Sequence, residues 1–277
     1  MTSHALAVLS AAAYGAADFL GGLAAKRSGI LSVVVVSQVV GLALVLAACA
    51  FLPARPGPAD LVWGATGGLA GAVGIALLYR GLAIGTMSVV APVTAVCAVI
   101  LPIMAGAILG ERPSPLAVLG IALAVVAIVL ISRTPRSAAD GKGSGLGLAI
   151  LSGISIGIFL VCLQRTSHAA GLWPLVAARA ASVAFLSLGA LAGRKSLIPA
   201  RGSLATIVGC GALDMTANVL YLLAVRGGQL GIVATLTSLY PASTILLARF
   251  VLGERLTPVQ RAGVLCAGVA IALIVAR

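Results

Sequence analysis

The stretch Leu109-Gly110-Glu111-Arg112-Pro113-Ser114-Pro115 recurs 143 residues later as Leu252-Gly253-Glu254-Arg255-Leu256-Thr257-Pro258, each copy between two long apolar runs. A membrane-spanning helix takes about 20 residues. Ten runs of that length can be cut, at 5–24, 30–52, 61–84, 87–109, 114–132, 145–164, 172–192, 203–225, 229–251 and 257–276. The cuts fall at glycine, proline and charged clusters, and only 133–144 has the Arg, Pro, Ser, Asp, Gly and Lys composition of a linker. The chain therefore divides into five runs at 1–132, the linker 133–144, and five runs at 145–277.

The repeat reaches beyond the turn. Leu9-Ser10 with Gly15 matches Leu151-Ser152 with Gly157, and Tyr79 matches Tyr221, at a spacing of 142; Pro115 matches Pro258 and Gly120 matches Gly263 at 143. Five is an odd number of spans, so two similar halves enter a bilayer from opposite sides. The expected fold is thus all-α and integral to the membrane, with ten transmembrane helices as two inverted five-helix repeats. Such repeats place a solute site near the midplane, where the halves meet.

With 61% hydrophobic residues, the chain lacks the polar surface of a soluble domain. Its 18 basic against 6 acidic residues form no stripe that would track a phosphate backbone, which argues against nucleic acid. With the N-terminus outside, the odd-numbered loops hold Lys26, Arg27, Arg133, Arg136, Lys142, Arg194, Lys195, Arg201 and Arg255. The even-numbered ones hold Arg55, Arg112, Arg165 and Arg226, so the positive-inside rule favours both ends outside. The first run carries Asp18 and no preceding basic segment, and reads as a span rather than a signal peptide. All five cysteines lie singly in apolar runs, and the two histidines have no metal-ligand spacing. No metal and no cofactor are expected.

Ala76-Leu77-Leu78-Tyr79-Arg80-Gly81-Leu82-Ala83, Val89-Val90-Ala91-Pro92 and Leu109-Gly110-Glu111-Arg112 resemble one EamA-type repeat. Tyr240-Pro241-Ala242-Ser243, Leu252 to Thr257, and Gly263 resemble the second. Over nearly its whole length the chain resembles a ten-helix EamA-type member of the drug/metabolite transporter superfamily. The resemblance implies export or import of a small metabolite through a central cavity lined by both halves. The solute expected is an amino acid or related compound, and the location the plasma membrane.

Ionisable groups inside membrane helices are costly and face a cavity or a partner. Three occur: Asp18 in the first run, Arg179 in the seventh and Asp214 in the eighth. Asp18 shares a helical face with Tyr14 and Ser10, and Asp214 shares one with Asn218 and Tyr221. Their repeat equivalents are Leu160 and Ala72, so each acid occurs in one half only. Asp18, Asp214, Asn218, Tyr14, Tyr221 and Arg179 are therefore the candidates for substrate binding or proton coupling. The competing roles are a link from Asp18 toward Lys26 and Arg27, and neutralisation of either acid by Arg179.

Gln38, Gln164, Thr94, Thr235 and Ser238 are further hydrogen-bonding candidates, and Tyr240 a possible cavity wall. Pro92 and Pro241, each inside a run, are candidate gating hinges, against the alternative of static bends. Gly64, Gly67, Gly68, Gly71 and Gly74 read as close-packing positions, Trp63 and Trp173 as interface residues, and Glu111 and Glu254 as turn-holding groups. The function expected is secondary active transport by alternating access, with protons as candidate coupling ion. An uncoupled facilitator, channel or lipid flippase would use the same helices. A membrane enzyme needs a metal cluster, paired aspartates or a Ser/His dyad, and these spacings are missing. The partners expected are a small-molecule substrate, the lipid bilayer and protons, with the chain a monomer or homodimer.

Overall fold

The computed structural model describes residues 2–84, 87–131, 145–252 and 257–275. Those residues are helical, joined by short turns, and no strand occurs among them. The elements are α1 (Thr2–Ala25), α2 (Ile30–Cys49), α3 (Pro58–Ile84), α4 (Met87–Ile108) and α5 (Pro115–Ile131), then α6 (Leu146–Gln164), α7 (Trp173–Ala192), α8 (Leu204–Gly227), α9 (Leu230–Thr237), α10 (Tyr240–Leu252) and α11 (Pro258–Val275). The linker 133–144 and the second turn, Gly253-Glu254-Arg255, lie outside the described residues.

Six of these helices (α1, α2, α3, α6, α7 and α8) are long and apolar enough to cross a membrane, and shorter apolar helices lie within α4, α5 and α11. Their outer faces carry large apolar side chains such as Leu151, Leu188, Phe250 and Leu265, all well exposed. In water such a surface would be untenable; in lipid it is the ordinary outer face of a bundle.

The local signals are clear at α5 and α11. In each, Ser114 or Thr257 stands before a proline at the first helical position, where the missing N–H is not needed. The Ser114 hydroxyl accepts from the Ala117 N–H at 3.2 Å. Thr257 and Gln260 form a reciprocal capping box, at 3.0 and 3.2 Å. Gly110, with φ +81°, turns the chain between α4 and α5 in a conformation few side chains allow.

The ninth run differs from expectation. It is not one helix but two, α9 and α10, separated at Ser238-Leu239. Pro241 stands in the first turn of α10 and carries no N–H, so the Thr237 carbonyl has no helical donor four residues on. The equivalent α4 continues unbroken through Pro92 and Pro102. At the position matching Pro241 it has Ala98.

Helix contacts repeat when the halves are exchanged. α3 packs on α6 and α7, just as α8 packs on α1 and α2; α6 packs on α4 as α1 packs on α9 and α10; α2 meets α7, and α5 meets α11. Individual residues follow suit. Gly157 faces Ala98 and Leu101, and Gly15 faces Tyr240 and Thr244. The Ser152 hydroxyl donates to the Gly74 carbonyl at 2.7 Å, and that of Ser10 to the Ala217 carbonyl at 2.8 Å.

The order of contacts gives helix directions. Along α3, Gly67, Gly71 and Gly74 meet Cys162, Phe159 and Ile156, so α3 and α6 are antiparallel. Gly64 and Gly68 meet Pro174 and Ala178, so α3 and α7 are parallel. One glycine stripe on α3 thus serves two neighbours, one from each side. Likewise α8 opposes α1, through Cys210 at Gly21 and Gly227 at Ser3, and parallels α2, through Gly211 at Ser37 and Met215 at Gly41.

Candidate functional site

Between the halves lies a cavity with about 790 Å³ of unfilled space, solvent at its mouth included. Its walls come from α1, α2, α3 and α4 of the first half and α6, α7, α8, α9 and α10 of the second. Neither α5 nor α11 reaches it. These two pack on each other through small residues such as Gly120 and Ala270, at the side of the bundle.

Most of the wall is apolar, including Ile75, Leu78, Ile156 and Phe159, and the polar groups are few. Arg179 of α7 is the centre of one group. Its guanidinium donates to the Asp214 carboxylate of α8 and to the Gln38 side-chain carbonyl of α2. The Ser182 hydroxyl donates to the same Gln38 oxygen at 3.1 Å. The Arg179 and Asp214 side chains are only 8% and 13% exposed. A pair so enclosed is strongly interdependent, since losing either partner strands the other charge.

A second group joins α1 to α8. The Tyr14 hydroxyl donates to Asn218 Oδ1 at 2.9 Å, while Asn218 Nδ2 donates to the Asp214 main-chain carbonyl at 2.7 Å. Asp18, one turn beyond Tyr14, also lines the cavity. It makes no hydrogen bond and no ion pair among the described residues. It is not drawn to Lys26 and Arg27, because its helical face turns inward with Tyr14 rather than toward the end of α1.

Five of the six candidates, Tyr14, Asp18, Arg179, Asp214 and Asn218, therefore meet at one cavity. Tyr221 lies apart from them. It continues the stripe of Asp214 and Asn218, but at its level α8 is covered by α6. It is fully buried, outside the cavity wall, and its hydroxyl donates to the Leu160 carbonyl at 3.2 Å. Of the hinge candidates, Pro241 stands at the helix break and Pro92 within the unbroken α4. Thr94 donates to the Ala149 carbonyl at 3.2 Å and Thr235 to the Gly231 carbonyl at 2.7 Å, so both hydroxyls serve backbone.

Three contributors were not apparent in the sequence. Ser182 lies one turn after Arg179, a spacing that marks it once Arg179 is known to face inward. Glu111 does more than hold its own turn. Its carboxylate accepts from the backbone N–H groups of Leu230 at 2.5 Å and Gly231 at 3.1 Å, capping α9 of the opposite half. Asp60, at the start of α3, accepts from the Ser167 N–H at 2.7 Å and its hydroxyl at 3.0 Å. Arg226 donates to the Ser167 carbonyl at 2.8 Å, and the Arg165 guanidinium lies 5.8 Å from the Trp63 ring centre. These contacts stitch together the end of the bundle where α1 begins.

Among solved structures, one crystal structure of a protein superposes with a TM-score of 0.73 at 18% identity, covering 96% of this chain and 96% of that one. At that identity the likeness is one of fold. A comparison with curated proteins returned no significant match. The sequence profile of the EamA-like transporter family matches residues 1–133 and again 143–276. The chain therefore belongs to the EamA-like transporter family, multi-pass membrane transporters of the drug/metabolite transporter superfamily.

Proposed function

We propose that the protein is a secondary active transporter that carries a small metabolite of amino-acid size across the plasma membrane by alternating access. Ten spans, with α9 and α10 together counted as one, form two five-helix repeats (1–132 and 145–277) inverted in the bilayer. The observation that carries this reading is the exchange symmetry of helix contacts around one cavity that holds a few polar groups. Direction supports the inversion: traced from α1 through α8, α2, α7 and α3 to α6, three antiparallel and two parallel contacts leave α6 opposed to α1. The α2–α7 step is antiparallel because Gln38 meets Ser182 while Gly41 meets Arg179. Two halves with near-equivalent contacts can exchange conformations, which gives two packings of similar energy, open to opposite sides.

Asp18, Asp214, Asn218, Tyr14 and Arg179 are the solute and coupling residues in this reading. Asp18 is the residue best placed to take up a proton, because the Asp214 carboxylate is held by Arg179. The helix break before Pro241 is the hinge. Opening toward the end where α1 begins requires the Glu111 and Asp60 contacts to part.

The test is exchange in proteoliposomes loaded with a labelled mixture of amino acids and amines. A carrier gives label efflux that rises when unlabelled solute is supplied on the far side. Efflux indifferent to far-side solute would instead identify a channel or facilitator, and retention equal to that of empty liposomes would remove the transport reading. Proton coupling predicts that an imposed pH gradient drives uptake in the wild type and not in Asp18→Asn; equal response in both would remove it.

A further inference from the structure

The cavity contains a set of polar groups without partners, gathered at the helix break. Among the described residues the Thr237 hydroxyl and the Tyr240 hydroxyl have no hydrogen-bond partner, and the two residues are 3% and 8% exposed. Both line the cavity. A buried hydroxyl left unpaired costs about 1–3 kcal/mol, so two on consecutive turns of a broken helix call for an occupant. The Thr237 carbonyl adds a third acceptor, because Pro241 cannot donate to it.

Asp18 supplies the charge. It lines the same cavity as Thr237 and Tyr240. Among the lining residues the charged groups are Asp18, Asp214 and Arg179. Arg179 cancels Asp214, so an ionised Asp18 leaves the site with one unmatched negative charge.

We propose that Asp18, Thr237 and Tyr240 form an ammonium subsite, and that the solute is a primary amine with an apolar body and no carboxylate. This rests on the transport reading and narrows it. A primary ammonium carries three N–H donors and one positive charge. The carboxylate of Asp18 and the two hydroxyls supply matching acceptors, and the charge neutralises the site. The apolar wall of Ile75, Leu78, Ile156 and Phe159 accommodates a hydrocarbon body. An amino acid fits less well. Its carboxylate would need a cation, and the guanidinium of Arg179, the basic group of the wall, is already engaged by Asp214 and Gln38. Entry of a carboxylate would have to break that buried pair or remain unpaired in a low-dielectric space, and either is expensive.

Three probes with one branched skeleton test the proposal: 3-methylbutylamine, leucine, which adds a carboxylate to it, and 4-methylpentanoate, which lacks the amine. Binding to the purified full-length protein is measured by calorimetry, and folding is checked by thermal unfolding. The expected order is amine tighter than leucine by tenfold or more, with no binding of 4-methylpentanoate. Asp18→Asn weakens amine binding at least tenfold. Tyr240→Phe, which removes only an unpaired hydroxyl, weakens it about three- to tenfold with unfolding temperature unchanged or raised.

Leucine binding tighter than the amine, no amine binding at millimolar concentration, or wild-type amine affinity in folded Asp18→Asn would each overturn the subsite. Transport is scored separately in proteoliposomes. Amine that binds but is never carried sinks the transport reading and leaves the subsite standing. Leucine carried while amine is not does the reverse.

Discussion

Removing the charge of Glu111 is expected to loosen the end of the bundle where α1 begins, without unfolding the protein. Its carboxylate receives two N–H groups of the first turn of α9, at 2.5 and 3.1 Å. Hydrogen bonds to a charged group contribute about 1.5–3 kcal/mol relative to losing them, and an acid at a helix N-terminus gains about 0.3–1 kcal/mol from the dipole. Glu111→Gln keeps one acceptor oxygen and most of the shape, so about 1–2 kcal/mol is the expected loss. If this contact exists only while that end is closed, the closed-to-open ratio falls about 5- to 30-fold, since 1.4 kcal/mol corresponds to tenfold. Spin labels are placed at Ile108, the last residue of α4, and at Leu223, in the last two turns of α8, both exposed. Their distance distribution, measured by double electron–electron resonance, should gain a longer component in Glu111→Gln. Superposable distributions in wild type and variant, with thermal stability lowered by the same 1–2 kcal/mol, would show that the cap only supports α9 and would refute its role as a latch.

Other substitutions separate packing from site chemistry. A Cβ at Gly68 would strike the main chain of Ala178, so Gly68→Leu should cost at least the roughly 1–3 kcal/mol of an overpacked site and lower the melting temperature in detergent. Arg179→Met leaves Asp214 buried without its cation and should cost about 3–5 kcal/mol, whereas adding Asp214→Leu should recover much of that in a double-mutant cycle. Additivity of the two would refute the pairing. Tyr221→Phe removes a buried hydrogen bond made by a hydroxyl outside the cavity wall; stability should fall by about 1 kcal/mol while solute affinity stays at the wild-type value.

The family and the all-helical, membrane-type character were legible from the one-dimensional pattern, and physical reasons explain why. A bilayer demands helices of a set length with apolar sides, so each run of about 20 apolar residues declares itself without reference to the rest of the chain. The caps at Ser114 and Thr257 are equally local, as is the need for glycine at Gly110. Intramembrane charge is so costly that Asp18, Arg179 and Asp214 pointed to a shared interior, and all three line one cavity.

The partners of those groups were decided only by tertiary structure. Arg179 had two acids to choose between; the packing of the bundle gave it Asp214 and Gln38, while Asp18 makes no hydrogen bond or ion pair among the described residues. Tyr221 obeyed the same helical spacing as Asn218, yet the contact of α6 with α8 removed it from the cavity. Glu111 reached a helix 119 residues away in sequence. Periodicity reports which face of a helix a side chain occupies, but what that face meets depends on how the helices of the bundle interlock. The break between α9 and α10 belongs to the same class: Pro92 and Pro241 look alike in sequence, and only the packed bundle turned one of them into a boundary lined by unpaired hydroxyls.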